Sequence, residues 1–210
     1  MIREVEAYDK LNLGCGFNKQ PGYLNVDIEP RFRPDEVVDL EKTPWPWETS
    51  RFRKIRAFHI LEHLGDSSNH FIEVIKEMYR ASAPGAEWVI MLPHWNCDNA
   101  VSDPTHKRLL THRTFTLFDQ RQNISDHDRG LPTTPLGLIH GIDLEVPQDG
   151  VEPLIMPHWL EQVKQGMLGQ QELIMKLNTL NNISEEIQVF VKVHKPGRGS
   201  DWMSENFKEK

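Results

Sequence analysis

Residues 11 to 28 read Leu11-Asn12-Leu13-Gly14-Cys15-Gly16-Phe17-Asn18-Lys19-Gln20-Pro21-Gly22-Tyr23-Leu24-Asn25-Val26-Asp27-Ile28. A short apolar strand runs into a glycine turn, and a second apolar run ends in an acid. Glycine lets the backbone turn tightly and approach a ligand where a side chain would collide. A carboxylate at the end of the next strand can accept both hydroxyls of a ribose, as in nucleotide-binding α/β folds. The pair points to a cofactor that carries an adenosine. Gly-x-Gly also occurs in ordinary tight turns, so the neighbouring segments must support this reading.

Working outward, Lys10 to Leu13, Tyr23 to Ile28, Glu36 to Leu40 and Lys54 to Ile60 read as successive strands. Phe71, Ile75, Met78 and Tyr79 recur at helical spacing, which predicts a helix over residues 67 to 82. Pro84-Gly85 breaks it before an apolar strand, Trp88 to Leu92. Leu138 to Val146 and Glu186 to His194 read as later strands, with a helix near His158 to Leu180 between them. Such alternation predicts an α/β fold, a mostly parallel sheet with helices on both faces.

The whole chain bounds what this fold can do. Its 210 residues are most simply one domain, large enough to bury about 70% of the unfolded surface. One domain is expected over residues 1 to 196, with an acceptor-side insertion near 94 to 157 and a frayed polar tail over 197 to 210. No apolar run approaches the ~18 residues of a membrane span, so no membrane partner is expected. The start, Met-Ile-Arg-Glu-Val-Glu, lacks the apolar core of a signal peptide. Cys15 and Cys97 are too few for a disulfide framework and fit a reducing cytoplasm. A net charge of -7 argues against extensive nucleic-acid binding, which draws on many Lys and Arg residues. Arg51, Arg53, Lys54 and Arg56 read either as a local basic rim or, the preferred reading, as a solvated strand entry.

Leu-Asn-Leu-Gly-Cys-Gly, Asn-Val-Asp-Ile, Val-Asp-Leu-Glu, His-Ile-Leu-Glu-His-Leu and the Ala-Pro-Gly before the fifth strand together resemble a class I S-adenosylmethionine-dependent methyltransferase. The likeness covers roughly residues 9 to 118, and the later elements fit that family's seven-stranded Rossmann-like, doubly wound sheet with its antiparallel last strand. It implies that Gly14, Cys15 and Gly16 approach the methionine part of S-adenosylmethionine, and that Asp27 takes the ribose hydroxyls. It further implies that Ile28 packs on adenine, that Asp39 and Leu40 line the adenine side, and that His59 and Ile60 lie beside the sulfonium. Two departures stand out. Asn18 replaces the family's third glycine, and only about ten residues separate Gly14 from Leu24, short of the dozen a parallel crossover needs. The first crossover helix must be shortened or displaced.

Two histidine clusters carry candidate chemistry. His59, Glu62 and His63 share a face of a helical turn, and two imidazoles with a carboxylate suit a divalent transition metal, with His106 as a further ligand. His-x-x-Glu-His is also the inverzincin protease pattern, but that needs a long helix, and Gly65 stops this turn. The trio also resembles the Glu-x-x-Glu-His of metal-dependent methyltransferases acting on RNA 3′ ends or quinone rings. A plainer reading, preferred here, has Glu62 and His63 cap the turn without metal. The second cluster, His94 through Arg108, follows the fifth strand, and its Asp103-Pro104-Thr105-His106 resembles a loop of methyltransferases that modify glycans and small molecules. Loops at strand carboxyl ends form the crevice of such folds. His94, His106 and His63 are therefore candidate catalytic residues, able to take a proton from an attacking hydroxyl or amine of a small-molecule or glycan-type acceptor. Trp45 either walls the adenine side or covers the sheet edge. Asp126-His127-Asp128 either attracts a metal or, the preferred reading, is an exposed loop. The helix bearing Met167, Ile174, Met175 and Leu177 serves either core packing or a homodimer face.

Overall fold

The computed structural model describes residues 8–206; the chain start and the last four residues of the tail lie outside them. Four short parallel strands open the chain: β1 (Lys10–Leu13), β2 (Leu24–Asp27), β3 (Glu36–Val37) and β4 (Phe52–Phe58). Helix α1 (Ser68–Ala81) leads into β5 (Ser82–Pro93), which pairs parallel with β4. Helices α2 (Asp98–Ser102), α3 (His112–Thr116), α4 (Gln120–Asp128) and α5 (Leu136–His140) fill the link to β6 (Leu144–Glu145) and β7 (Val151–Ile155). Helices α6 (Pro157–Lys164) and α7 (Gln170–Thr179), then β8 (Ser184–Val193) and α8 (Ser200–Asn206), complete the described chain.

The sheet order is β3-β2-β1-β4-β5-β8-β6, with β7 also on β8. Strand β8 runs antiparallel to β5, β6 and β7. Strands β6 and β7 meet opposite halves of β8 and share the edge away from β5, so eight strands fill seven sheet positions. The chain order reverses between β1 and β4, a switch point where ligands bind in open α/β sheets.

Alternation along the strands separates two unequal faces. Leu11, Leu13, Ile55, Ala57, Trp88, Ile90, Val189 and Val191 are buried and pack with Phe71, Val74, Ile75 and Met78 of α1. Lys54, Arg56, Phe58, Val89, Met91, Gln188 and Phe190, on the other face, remain partly exposed. The described β1–β2 and β2–β3 links hold only turns and a three-residue 3-10 turn, Pro30–Phe32. The reduction expected of the first crossover thus extends to the second, and helices do not cover the two faces equally.

Buried amides brace the β1–β2 loop in place of a helix. The Asn25 Oδ1 accepts from Asn12 Nδ2 at 2.9 Å and from the Gln20 N–H at 2.6 Å. Its Nδ2 lies 2.9–3.1 Å from the carbonyls of Gln20 and Tyr23 and a carboxylate oxygen of Asp35.

Several local expectations change in the folded chain. Leu138 to Val146 is a helix followed by a two-residue strand, because Gly141 ends α5 in a left-handed conformation. The helix expected over 158 to 180 is split into α6 and α7. Met167, Ile174 and Met175 are exposed, so they do not form core packing. Trp45 is buried, donates from Nε1 to the Leu40 carbonyl at 3.0 Å and packs against Trp47, which makes it core. Asp126 is buried at the end of α4, where it accepts from Gln122 and Thr133, while His127 and Asp128 stay exposed. The segment after Gly197 is anchored rather than frayed through the described residues. Arg198 reaches Asp119, Asp143 and Glu145, and Ser200–Asn206 is helical.

Candidate active site

The glycine turn at the end of β1 is held from two sides. Gly14 and Gly16 have φ of +58° and +48°, a region that other residues enter at a cost. A Cβ on Gly14 would lie 2.7 Å from the Ile60 side chain, so absence of a side chain lets the two segments meet. A Cβ on Gly16 would meet nothing within 4 Å and would project into open space. The Gly16 N–H donates to Asp27 Oδ2 at 2.8 Å, and the Glu29 N–H donates to Asp27 Oδ1 at 2.9 Å. Asp27 thus braces the loop, and each oxygen retains a second lone pair.

Beside the turn lies a cavity of about 490 Å³ lined by Gly14, Cys15, Gly16, Arg56, Phe58 and His59, among others. It occupies the switch point between β1 and β4. Arg56 stacks on Phe58 at 3.6 Å and donates to Asn12 Oδ1 at 3.3 Å. It is therefore a cavity residue rather than only a solvated strand entry. Phe17 also lines the cavity, is 90% exposed and packs edge-on against Phe32. Ile28 is 61% exposed just beyond Asp27, free to meet a planar ligand. Asp39 accepts from the Glu41 N–H at 3.1 Å. Leu40 is buried in the core, so its side chain is not available to line a ligand site.

A second cavity, about 360 Å³, is lined by His59, Glu62, His63, Asp103, His106 and Glu186, with other polar residues. His59 and Glu186 line both cavities. His59 has φ of +51°, an uncommon value for a non-glycine residue and one that clusters at functional sites. Its Nε2 is 2.9 Å from Glu186 and its Nδ1 is 3.5 Å from Glu62. The latter separation is too long for a good hydrogen bond, so the attraction is electrostatic. Glu62, then Glu186, hold the His59 pKa above its ordinary value against the opposing effect of burial.

Glu62, His63 and His106 converge, with one ligand atom from each lying within 4.8 Å of the others. His59 lies beside this group rather than in it, with its two nitrogens 3.5 Å from Glu62 and 2.9 Å from Glu186. His94 is also displaced from its expected position. Pro93 lines the second cavity, but His94 lines a different one of about 420 Å³, with His112, Arg113 and Leu177. The cavity that His94 lines does not include His63 or His106. Burial lowers its pKa. Glu186 and Phe17 had no local sequence signal, and Arg56 had only its place in the basic cluster at the start of β4. Glu186 in particular enters from the antiparallel β8, where it pairs with Pro93.

No protein-family model matches the chain, and no curated protein matches it. Solved structures match at low identity. A SAM-dependent methyltransferase from Archaeoglobus fulgidus superposes with a TM-score of 0.55 at 14% identity, covering 89% of this chain and 86% of that one. The N-methyltransferase NodS from Bradyrhizobium japonicum WM9 gives 0.48 at 12% identity, covering 90% and 86%. An S-adenosylmethionine-dependent methyltransferase from Mesorhizobium loti gives 0.45 at 17% identity, covering 89% and 92%. The first comparison shows the fold: the chain has the fold of S-adenosylmethionine-dependent methyltransferases.

Proposed function

We propose that the protein binds S-adenosylmethionine and transfers its methyl group to an oxygen or nitrogen of a small polar acceptor of the sugar or nucleotide-linked class. The observation that carries this reading is the meeting of two cavities at His59 and Glu186. The first opens on the glycine turn, Arg56 and the switch point. The second is lined with carboxylates and imidazoles suited to a polar acceptor.

The residues present fit the cofactor. Gly16 leaves open space beside the loop, Asp27 retains acceptor capacity for ribose hydroxyls, and Arg56 offers a cation to the methionine carboxylate. Ile28 offers an apolar surface to adenine. When bound, S-adenosylmethionine supplies an electrophilic methyl group on a sulfonium. His63 and His106 can take the proton of an acceptor hydroxyl or amine through Nε2. Glu186 and His59 lie at the junction, where they can orient the acceptor. Alignment of this kind supplies much of the rate of a two-reactant step.

The test is calorimetry with S-adenosylhomocysteine. The folded protein is expected to bind it, and Asp27→Ala should weaken binding by about 1–3 kcal/mol. Absence of binding by the folded wild type would overturn the reading.

A further inference from the structure

We infer that Glu62, His63 and His106 form a binding site for one divalent transition cation, with open coordination positions facing the acceptor cavity. The cation site is argued from its own ligands; its action on an acceptor rests on the methyl-transfer reading. Glu62 is 2% exposed, and neither carboxylate oxygen has a hydrogen-bond partner. Among the described residues, the one basic side chain recorded within 4.0 Å of it is His59, at 3.5 Å and already engaged by Glu186. Buried carboxylates are ordinarily hydrogen-bonded, paired or metal-bound. A turn-capping role would give Glu62 a backbone N–H partner, and it has none.

The two imidazoles are arranged as ligands. His106 Nδ1 lies 2.9 Å from the Ala100 carbonyl, which can only accept, so Nδ1 carries the proton and Nε2 retains its lone pair. Thr105 Oγ1 donates to Asp103 Oδ1 at 2.6 Å and can therefore accept from His63 Nδ1 at 3.0 Å. This leaves the His63 Nε2 lone pair free as well. Locking Nδ1–H on an oxygen so that Nε2 can ligate is the usual outer support of a metal-bound histidine. The rings lie edge to face, with centroids 4.7 Å apart.

Two neutral imidazoles and one carboxylate suit zinc, iron(II), manganese(II) or cobalt(II), and leave positions for water or an acceptor oxygen. Ligand atoms about 2.1 Å from an ion lie about 3.0–3.5 Å apart, so separations of up to 4.8 Å need to close by at most about 1.3–1.8 Å. Side-chain rotation can supply that movement. A cation here would polarise an acceptor hydroxyl and lower its pKa; with both Nε2 atoms ligating it, His63 and His106 would act as proton acceptors only in the metal-free protein.

The experiment titrates chelator-treated, dialysed protein with ZnCl2 by calorimetry and with CoCl2 by visible absorption, without cofactor or acceptor. One equivalent of Zn2+ is expected to bind, with Co2+ giving the d–d bands of a four- or five-coordinate site. Glu62→Gln and His106→Ala should each weaken Zn2+ binding by at least about tenfold. Thr105→Val should weaken it about tenfold through loss of the His63 support. His127→Ala should leave it unchanged. Failure of the wild type to bind either ion would overturn the inference, as would tight binding that survives Glu62→Gln and His106→Ala. Thr105 is exposed, so its variant is expected to fold if the buried substitutions do not. Unchanged binding in a folded Thr105→Val protein, with the buried variants unfolded, would also count against the site. S-adenosylhomocysteine binding in the metal-free protein separates failure here from failure of the proposed activity.

Discussion

Gly14 and Gly16 share a left-handed backbone but differ in what a side chain would meet. Gly14→Ala drives a Cβ into Ile60 at 2.7 Å and adds strain at φ +58°, so stability should fall by about 1–3 kcal/mol. The change is read from the urea midpoint at constant m. Gly16→Ala has no such collision and carries only the strain of φ +48°, so the midpoint should fall less than for Gly14→Ala. Arg56 supports a second comparison. If its guanidinium meets the methionine carboxylate, Arg56→Met should weaken S-adenosylhomocysteine binding about tenfold. Binding of methylthioadenosine, which lacks that carboxylate, should change little in the same calorimeter. Equal losses for both ligands would remove Arg56 from this role. The glycine turn was legible because φ preference belongs to the residue itself. The role of Arg56 was not, because it depends on a loop elsewhere in sequence lying against the open face of β4.

At the scale of elements, the amides that replace the first helix make a testable brace. Asn25→Leu would leave Asn12 Nδ2 and the Gln20 N–H without their shared acceptor. The expected cost is about 2–3 kcal/mol, measured by chemical denaturation, with S-adenosylhomocysteine affinity falling as the glycine turn loosens. Strand β1 has the boundaries expected from its sequence, and β2, β4, α1 and β8 differ only at their ends. Their apolar periods each lie within a single element, whereas Pro84-Gly85, expected to precede the fifth strand, lies inside β5, which begins at Ser82. β7 was missed because its alternate positions are partly exposed and Pro153 interrupts it. Its pairing with β8, rather than a strong local pattern, makes it a strand.

Across the whole molecule, Arg198 ties the C-terminal segment to the region around α4 and β6. Its side chain is 11% exposed and lies 2.9 Å from Asp143, which is fully buried. Burial raises the Asp143 pKa, but hydrogen bonds from Arg198 and the Gln120 N–H outweigh it, and the net shift is downward. A carboxylate with a depressed folded-state pKa contributes its full stabilisation above the unfolded pKa of about 3.9. That contribution is lost as pH falls through the folded value. The urea midpoint should therefore fall as pH drops below about 4, and less steeply in Asp143→Asn. Arg198→Met, which strands Asp143 without its partner, should cost about 3–5 kcal/mol at neutral pH. A midpoint equal to that of the wild type would show the network to be energetically idle.

The sequence by itself determined the glycine turn, the acid that ends β2, the parallel strands and the His59-to-His63 turn. Each depends on φ preference, apolar period or spacing within a few residues. Only the tertiary structure decided how those pieces face one another. It brought Glu186 of β8 to His59, folded Thr105 and His106 over Glu62 and His63, and sent His94 into another cavity. It also put Leu40 in the core and assigned both Asp27 oxygens to backbone donors. These outcomes follow from sheet order and side-chain alternation across elements far apart in the chain, which local chemistry does not encode.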